Sequence, residues 1–236
     1  MNSKEKTRKI YLTGALTSLI VILLTVLDII IGTSTGGDLT AIPLTSTDKF
    51  IQLQEHELSG LYNLDLLNLV ISLFFIPTFI ALYIGLRTDN EPLGILSLIV
   101  FTIGTTVFIT NNAALPMLEL SHKYQIAGPD QKNIYAAAGE ALLAKGAHGS
   151  FGVLPGFVLI TLSELLISLA MIKGIMFSKA TAYFGVSGTT LLLIYLILVT
   201  FNPSSKEFAM LLAAPGGILS LIWMILFTVR LFKLSK

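Results

Sequence analysis

Cysteine is absent from the 236-residue chain, and charged residues are scarce. Without thiols the chain can form no disulfide, no thiolate nucleophile and no cysteine-ligated metal centre. Asp, Glu, Lys and Arg make up 12% of the residues, against about 25% in soluble domains. The formal net charge is +1, so no strong overall field attracts nucleic acid, and we expect no nucleic-acid partner.

Several catalytic patterns are also missing. The sequence has neither the phosphate-binding pattern Gly-x-x-x-x-Gly-Lys nor the nucleophile elbow Gly-x-Ser-x-Gly, so nucleotide hydrolysis and esterase chemistry lack support. Its three histidines are His56, His122 and His148, and they show no metal-binding spacing. We therefore predict no cofactor and no metal site. His148 is only a weak candidate metal ligand.

Long apolar runs fill the chain instead. Hydrophobic residues make up 54% of the sequence, and the mean hydropathy is +0.82. A helix of about 20 apolar residues crosses the hydrocarbon core of a bilayer. We predict an all-α fold, namely a polytopic membrane helix bundle with six transmembrane helices in one transmembrane domain over residues 1–236. The predicted spans are residues 10–32, 61–86, 93–110, 148–172, 180–201 and 208–231.

The distribution of Lys and Arg predicts the orientation. Ten of the fifteen lie at the termini or in the short turns of one side, which the positive-inside rule places in the cytoplasm. Both termini are then inside (N-in/C-in), and the connections 33–60 and 111–147 are outer loops. Asp130 and Gly146 are expected to cap the start and end of a short helix in the second loop. It would lie on the membrane surface or serve as a plain connector.

Polar residues at the outer ends of the first four spans predict a pocket. Asp65, Asn68 and Ser72 are spaced three and four apart, so they share one face of a helix. Asp28 lies roughly 28 Å along its helix from Lys9 at about 1.5 Å per residue, which places it near the outer interface. An alternative is that both carboxylates are simply hydrated there. The predicted lining is Asp28, Asp65, Asn68, Asn112 and His148.

Glu164 is the most deeply placed charged residue. It lies roughly 24 Å along the fourth span from His148 and roughly 13 Å before Lys173, at about 1.5 Å per residue. A carboxyl group so far from both ends should be buried against another helix or face a wet cavity. We predict that Glu164 titrates with protons. The alternative is a neutral carboxyl that hydrogen-bonds between helices as part of their packing.

Three stretches carry a resemblance to a known family. They are Asn111–Tyr124, residues 137–149 around His148, and Phe177–Gly185. Together they resemble a family of prokaryotic multi-span membrane proteins that is catalogued only as a domain of unknown function. The resemblance implies a bacterial or archaeal plasma membrane protein with about six spans. It implies no catalytic or binding residues.

Three functions remain open at this point. The leading one is a non-enzymatic, multi-pass protein of the plasma membrane that binds or moves a small solute or lipid through the outward-facing pocket. The second is a membrane-embedded hydrolase in which His148, Asp28 and Asp65 surround a metal or a water. The third is a structural or sensory protein without chemistry. Membrane lipid and a small-molecule ligand are the expected partners.

Overall fold

The computed structural model describes residues 3–34, 45–202, 204 and 206–236, and these residues contain helices and no strand. This confirms the predicted all-α fold. The helices, in chain order, are α1 Ser3–Ser34, α2 Ser46–Glu55, α3 Glu57–Tyr62, α4 Leu66–Leu86, α5 Glu91–Asn111, α6 Ala114–Ile126, α7 Pro129–Gly146, α8 Leu154–Lys173, α9 Lys179–Phe201 and α10 Lys206–Leu234.

Six candidate spans occur in the described residues, which confirms the predicted number. Each is long and apolar enough to cross a bilayer, so the protein is a multi-pass membrane protein. The side on which the termini lie stays a prediction, as does the single transmembrane domain. The candidate spans are Lys4–Gly32, Leu66–Leu86, Glu91–Ile126, Leu154–Lys173, Lys179–Phe201 and Glu207–Leu234.

Four span boundaries differ from the prediction by five residues or more. The first candidate span begins at Lys4 instead of residue 10, and the third continues to Ile126 instead of ending at residue 110. The second span was expected to begin at residue 61, but α4 begins at Leu66 because residues 63–65 form a turn. The fourth was expected to begin at His148, but α8 begins at Leu154. Here Gly149 has a φ of +75°, a conformation that glycine adopts without steric cost and that stops a right-handed helix.

The predicted outer loops contain more helix than expected. Helices α2 and α3 lie in the first loop, although residues 35–44 fall outside the described part of the chain. The Thr45 side chain accepts a hydrogen bond from the Asp48 backbone N–H at 3.2 Å and so caps α2. In the second loop, α7 confirms the predicted helix. Its cap is Gly128, not Asp130, because Pro129 occupies the first helical position.

The described residues fall into two compact units. The first comprises residues 1–25, 72–106 and 156–236, and the second comprises residues 26–71 and 107–155. Aromatic rings fill the core of the first unit. Phe79 of α4 stacks on Phe101 of α5 with ring centroids 4.0 Å apart, and Trp223 packs edge-on against Phe227 within α10.

Helices α2, α3, α6 and α7 form the core of the second unit. Phe50 and Leu53 project from α2 and pack in one cluster with Met117 of α6 and Leu143 of α7. Polar side chains fix the same contacts, since Ser121 Oγ donates to the Phe50 carbonyl at 3.0 Å. Ser46 Oγ donates to the Ala136 carbonyl of α7 at 2.8 Å. The connection that was expected to be a loop is therefore a packed helical layer.

The close approach of α7 to the start of α6 predicts a stability effect. A Cβ atom at Gly146 would lie 2.7 Å from the Ala113 nitrogen and would collide with the Asn111 carbonyl. We expect Gly146→Ala to destabilise the protein by about 1–3 kcal/mol through overpacking. Thermal unfolding in detergent measures this. Gly128→Ala is the matched control, because nothing lies within 4 Å of its Cβ position; equal effects of the two substitutions would contradict this packing.

Candidate functional site

Asp65 occupies a strained backbone position at the start of α4. Its φ is +63°, in the left-handed region that costs an L-residue with a Cβ about 1–2 kcal/mol. Backbone hydrogen bonds hold it there, because its N–H donates to the Tyr62 carbonyl and its carbonyl accepts from the Leu69 N–H, both at 3.0 Å. Strained residues that the surrounding structure holds in place cluster at functional sites.

The Asp65 carboxylate is buried and binds two side chains. His148 Nδ1 lies 3.0 Å from Oδ1 and 2.9 Å from Oδ2, and Asn68 Nδ2 donates to Oδ1 at 3.0 Å. Carboxylate oxygens only accept hydrogen bonds, so Nδ1 carries the proton in this pair. Asp65 is 5% exposed, whereas the His148 side chain is 63% exposed. Asp65 therefore orients a histidine that reaches the surface of the second unit.

A lysine and a tyrosine extend this cluster. Lys49 of α2 is only 4% exposed, and its charge acts on both Asp65 and His148. Burial lowers the pKa of Lys49, and the negative charge of Asp65 opposes that shift. Tyr62 donates from its hydroxyl to the Asp28 carbonyl at 3.2 Å. Burial, followed by the charge of Asp28, raises the pKa of Tyr62 to about 12.

Asp65 also sets the charge state of His148. Its hydrogen bond and then its negative charge raise the pKa of His148 above the ordinary 6.5, while partial desolvation of the imidazole and the charge of Lys49 oppose the shift. A raised pKa in the folded state means that the protonated form stabilises the fold. That stabilisation is complete below about pH 6.5 and is lost as the pH rises through the raised pKa of His148.

Asn112 supports the site from the backbone side. Its Nδ2 donates to the Leu64 carbonyl at 2.9 Å, and its Oδ1 accepts from the Ala114 N–H at 3.0 Å. The side chain thus ties the residue preceding Asp65 to the beginning of α6. Both ends of the buried amide bind backbone groups, so Asn112 acts here by positioning the turn that carries Asp65.

All five predicted lining residues lie in the second unit. Asp65 is in direct contact with both Asn68 and His148, and Asp28 acts on His148 by its charge. Asp65 precedes α4 instead of lying inside a helix, so the expected shared face begins one residue before the helix. Glu164 lies in α8, in the first unit.

Sequence reasoning missed Lys49 and Tyr62. Ser46, Lys49, Phe50 and Leu53 are all buried, at the spacing of one helical face. A lysine on the same helical face as Phe50 and Leu53 was the available signal for a buried cation. Tyr62 fell inside the expected second span, where an aromatic residue near an interface is ordinary and gives no separate signal.

A groove between α6 and α7 lies elsewhere in the second unit. Its volume is about 580 Å³, and its lining includes Pro116, Leu120, Ala138 and Leu142. None of the predicted lining residues contributes to it. The cluster around Asp65, and not this groove, brings the predicted polar residues together.

Metal ligands do not converge in the part of the chain that the structure describes. No group of three or more His, Cys, Asp or Glu side chains there has an arrangement that could hold a metal ion. His56 lies at the junction of α2 and α3 and His122 on α6, and both are exposed.

Comparison with known proteins identifies the family. Residues 24–230 match a family model described as a domain of unknown function, DUF4386. The chain belongs to the DUF4386 family. This confirms the resemblance seen in the sequence, and the match includes every residue of the candidate site. No curated protein and no solved structure matches the DUF4386 chain.

The pairing predicts how His148 responds when Asp65 loses its charge. In Asp65→Asn the negative charge disappears while a residue that tolerates the left-handed conformation remains. We expect the pKa of His148 to fall, because its main stabilising partner is gone. NMR of the imidazole Cε1–Hε1 groups over a pH titration measures this directly. His56 and His122 serve as internal references, and an unchanged titration of His148 would contradict the pairing.

Proposed function

We propose that this DUF4386 protein binds a small polar solute at the Asp65–His148 pair, on the side predicted to face outward from the plasma membrane. The observation that carries the proposal is the buried, left-handed Asp65 that accepts from His148 Nδ1. The strain and burial of Asp65 are explained if His148 must be held in one orientation to bind a ligand. Binding would be the first step in moving the solute.

The charges around the pair favour a particular class of solute. Asp28 and Asp65 supply two carboxylates, and Lys49 and His148 supply two bases. When His148 is protonated, the two positive charges of Lys49 and His148 balance the two negative charges of Asp28 and Asp65. A solute that carries both signs of charge, or none, enters such a site without leaving an uncompensated charge. The exposed His148 would meet an anionic group, and the partly buried Asp28 would meet a cationic one.

A hydrolase is the second candidate, and one observation favours it. A carboxylate on Nδ1 is the arrangement by which enzymes orient a general-base histidine, so that proton transfer to water or substrate occurs through Nε2. Such a reaction needs no metal. The two candidates differ in outcome, because a hydrolase consumes its substrate whereas a binding protein releases its solute unchanged.

Four related probes test the binding proposal. Glycine betaine is zwitterionic, acetate anionic, choline cationic and glycerol neutral. We expect glycine betaine to shift the His148 resonance saturably, with a dissociation constant at or below about 1 mM. In Asp65→Asn the affinity should fall by about tenfold, because the orientation of His148 is lost. NMR titration of the purified protein in nanodiscs measures both quantities.

Controls separate binding at the site from general effects. The resonance of His122, which is exposed on α6, should not move, and His122→Gln should leave the affinity unchanged. The binding proposal is contradicted if none of the four probes shifts His148 saturably. A response equal for choline and glycine betaine would contradict the role given to His148, because choline has no anionic group to meet it.

A further inference from the structure

Glu164 lies in the middle of a membrane-spanning helix. It is roughly 15 Å from the start of α8 at Leu154 and roughly 13 Å from its end at Lys173, at about 1.5 Å per residue. The hydrocarbon core is about 30 Å thick, so the carboxyl group is close to its centre. Charged side chains at this depth are expensive, and those that persist are usually functional.

The surroundings of Glu164 offer no opposite charge. Of the residues that the structure describes, none hydrogen-bonds to the carboxyl group or forms an ion pair with it. No charged or titratable group on α5, α9 or α10, which pack around α8, acts on it electrostatically. Glu164 is half-buried, so these helices leave part of its side chain uncovered, at a depth where lipid is expected around a membrane span. An ionised carboxylate here would have neither water nor a cation.

A polar residue lies one helical turn away on the same face of α8. Ser168 follows Glu164 by four residues, so both side chains project toward the same side. Ser168 contacts the Gly185 position of α9, and Trp223 of α10 approaches the same glycine. Ser168 Oγ and Trp223 Nε1 are buried and have no hydrogen-bond partner in the described residues. Buried polar groups usually have hydrogen-bond partners, so these two unpaired donors make the surroundings of α8 locally polar.

We propose that Glu164 is a proton-binding site within the membrane-spanning bundle, carrying a proton at neutral pH. A proton fits this site better than a metal cation does. Hard cations take six or more oxygen ligands, and Glu164 is the only carboxylate at this level of the bundle in the described residues. Proton uptake needs only the carboxyl group itself, and the Ser168 hydroxyl lies one helical turn away on the same helix. This site is separate in residues and chemistry from the Asp65–His148 pair.

Carbodiimide labelling tests the proposal. A hydrophobic carbodiimide such as dicyclohexylcarbodiimide enters lipid and adds to a carboxyl group that carries a proton, leaving an N-acylurea adduct that retains every atom of the reagent. We expect peptide mass spectrometry of the full-length protein in lipid vesicles to locate the adduct on Glu164 at about pH 6. Labelling should fall by about tenfold per pH unit once most of the carboxyl has lost its proton.

Other carboxyl groups and a second reagent provide the controls. The exposed Glu57 and Glu207 should react with a water-soluble carbodiimide and not with the hydrophobic one. Glu164→Gln should lose the adduct, and Glu207→Gln should keep it. The proposal is overturned if Glu164 stays unlabelled at about pH 6 while the protein remains folded. It is equally overturned if the water-soluble reagent labels Glu164 as fast as Glu57, because the carboxyl would then be hydrated.

Discussion

Burial of the Asp65 carboxylate is the constraint around which the second unit is arranged. A carboxylate that is 5% exposed is costly unless hydrogen bonds and opposite charges surround it. His148 and Asn68 donate to its oxygens, and Lys49 adds a positive charge. The backbone at Asp65 adopts the left-handed conformation, which brings these partners together. The cost of this arrangement is reasonable if it holds an exposed histidine in a fixed orientation for a ligand.

Packing of the short helices makes the arrangement stable. Lys49 is fixed because its neighbours Phe50 and Leu53 lie in the core of the second unit. His148 follows the end of α7, where the Ala113 N–H donates to the Gly146 carbonyl at 3.3 Å. Asn112 ties the turn before Asp65 to α6. The packing of the short helices and their backbone contacts therefore hold Lys49, His148 and Asn112 in place.

Hydropathy was sufficient for the number of spans, and the run of strong helix formers was sufficient for α7, because both signals specify helices locally. Hydropathy failed for α2, a short amphipathic helix among polar residues, and for α6, which packs against α2 in the core of the second unit. The three-residue spacing correctly predicted that Asp65 and Asn68 lie together. The same spacing wrongly predicted that Asp65 lies inside a helix, because the periodicity of a sequence does not show where a residue adopts the left-handed conformation. The role of Lys49 depends on which face of α2 is buried, which is a tertiary property.

A double-mutant cycle between Asp65→Asn and His148→Gln tests the central claim most directly. Reversible unfolding in mixed lipid–detergent micelles gives the coupling energy between the two side chains. We predict about 1 kcal/mol below about pH 6.5, at the lower end for contacting residues because His148 is exposed and screened. The coupling should decline as the pH rises through the raised pKa of His148. A coupling of zero at low pH would contradict the account.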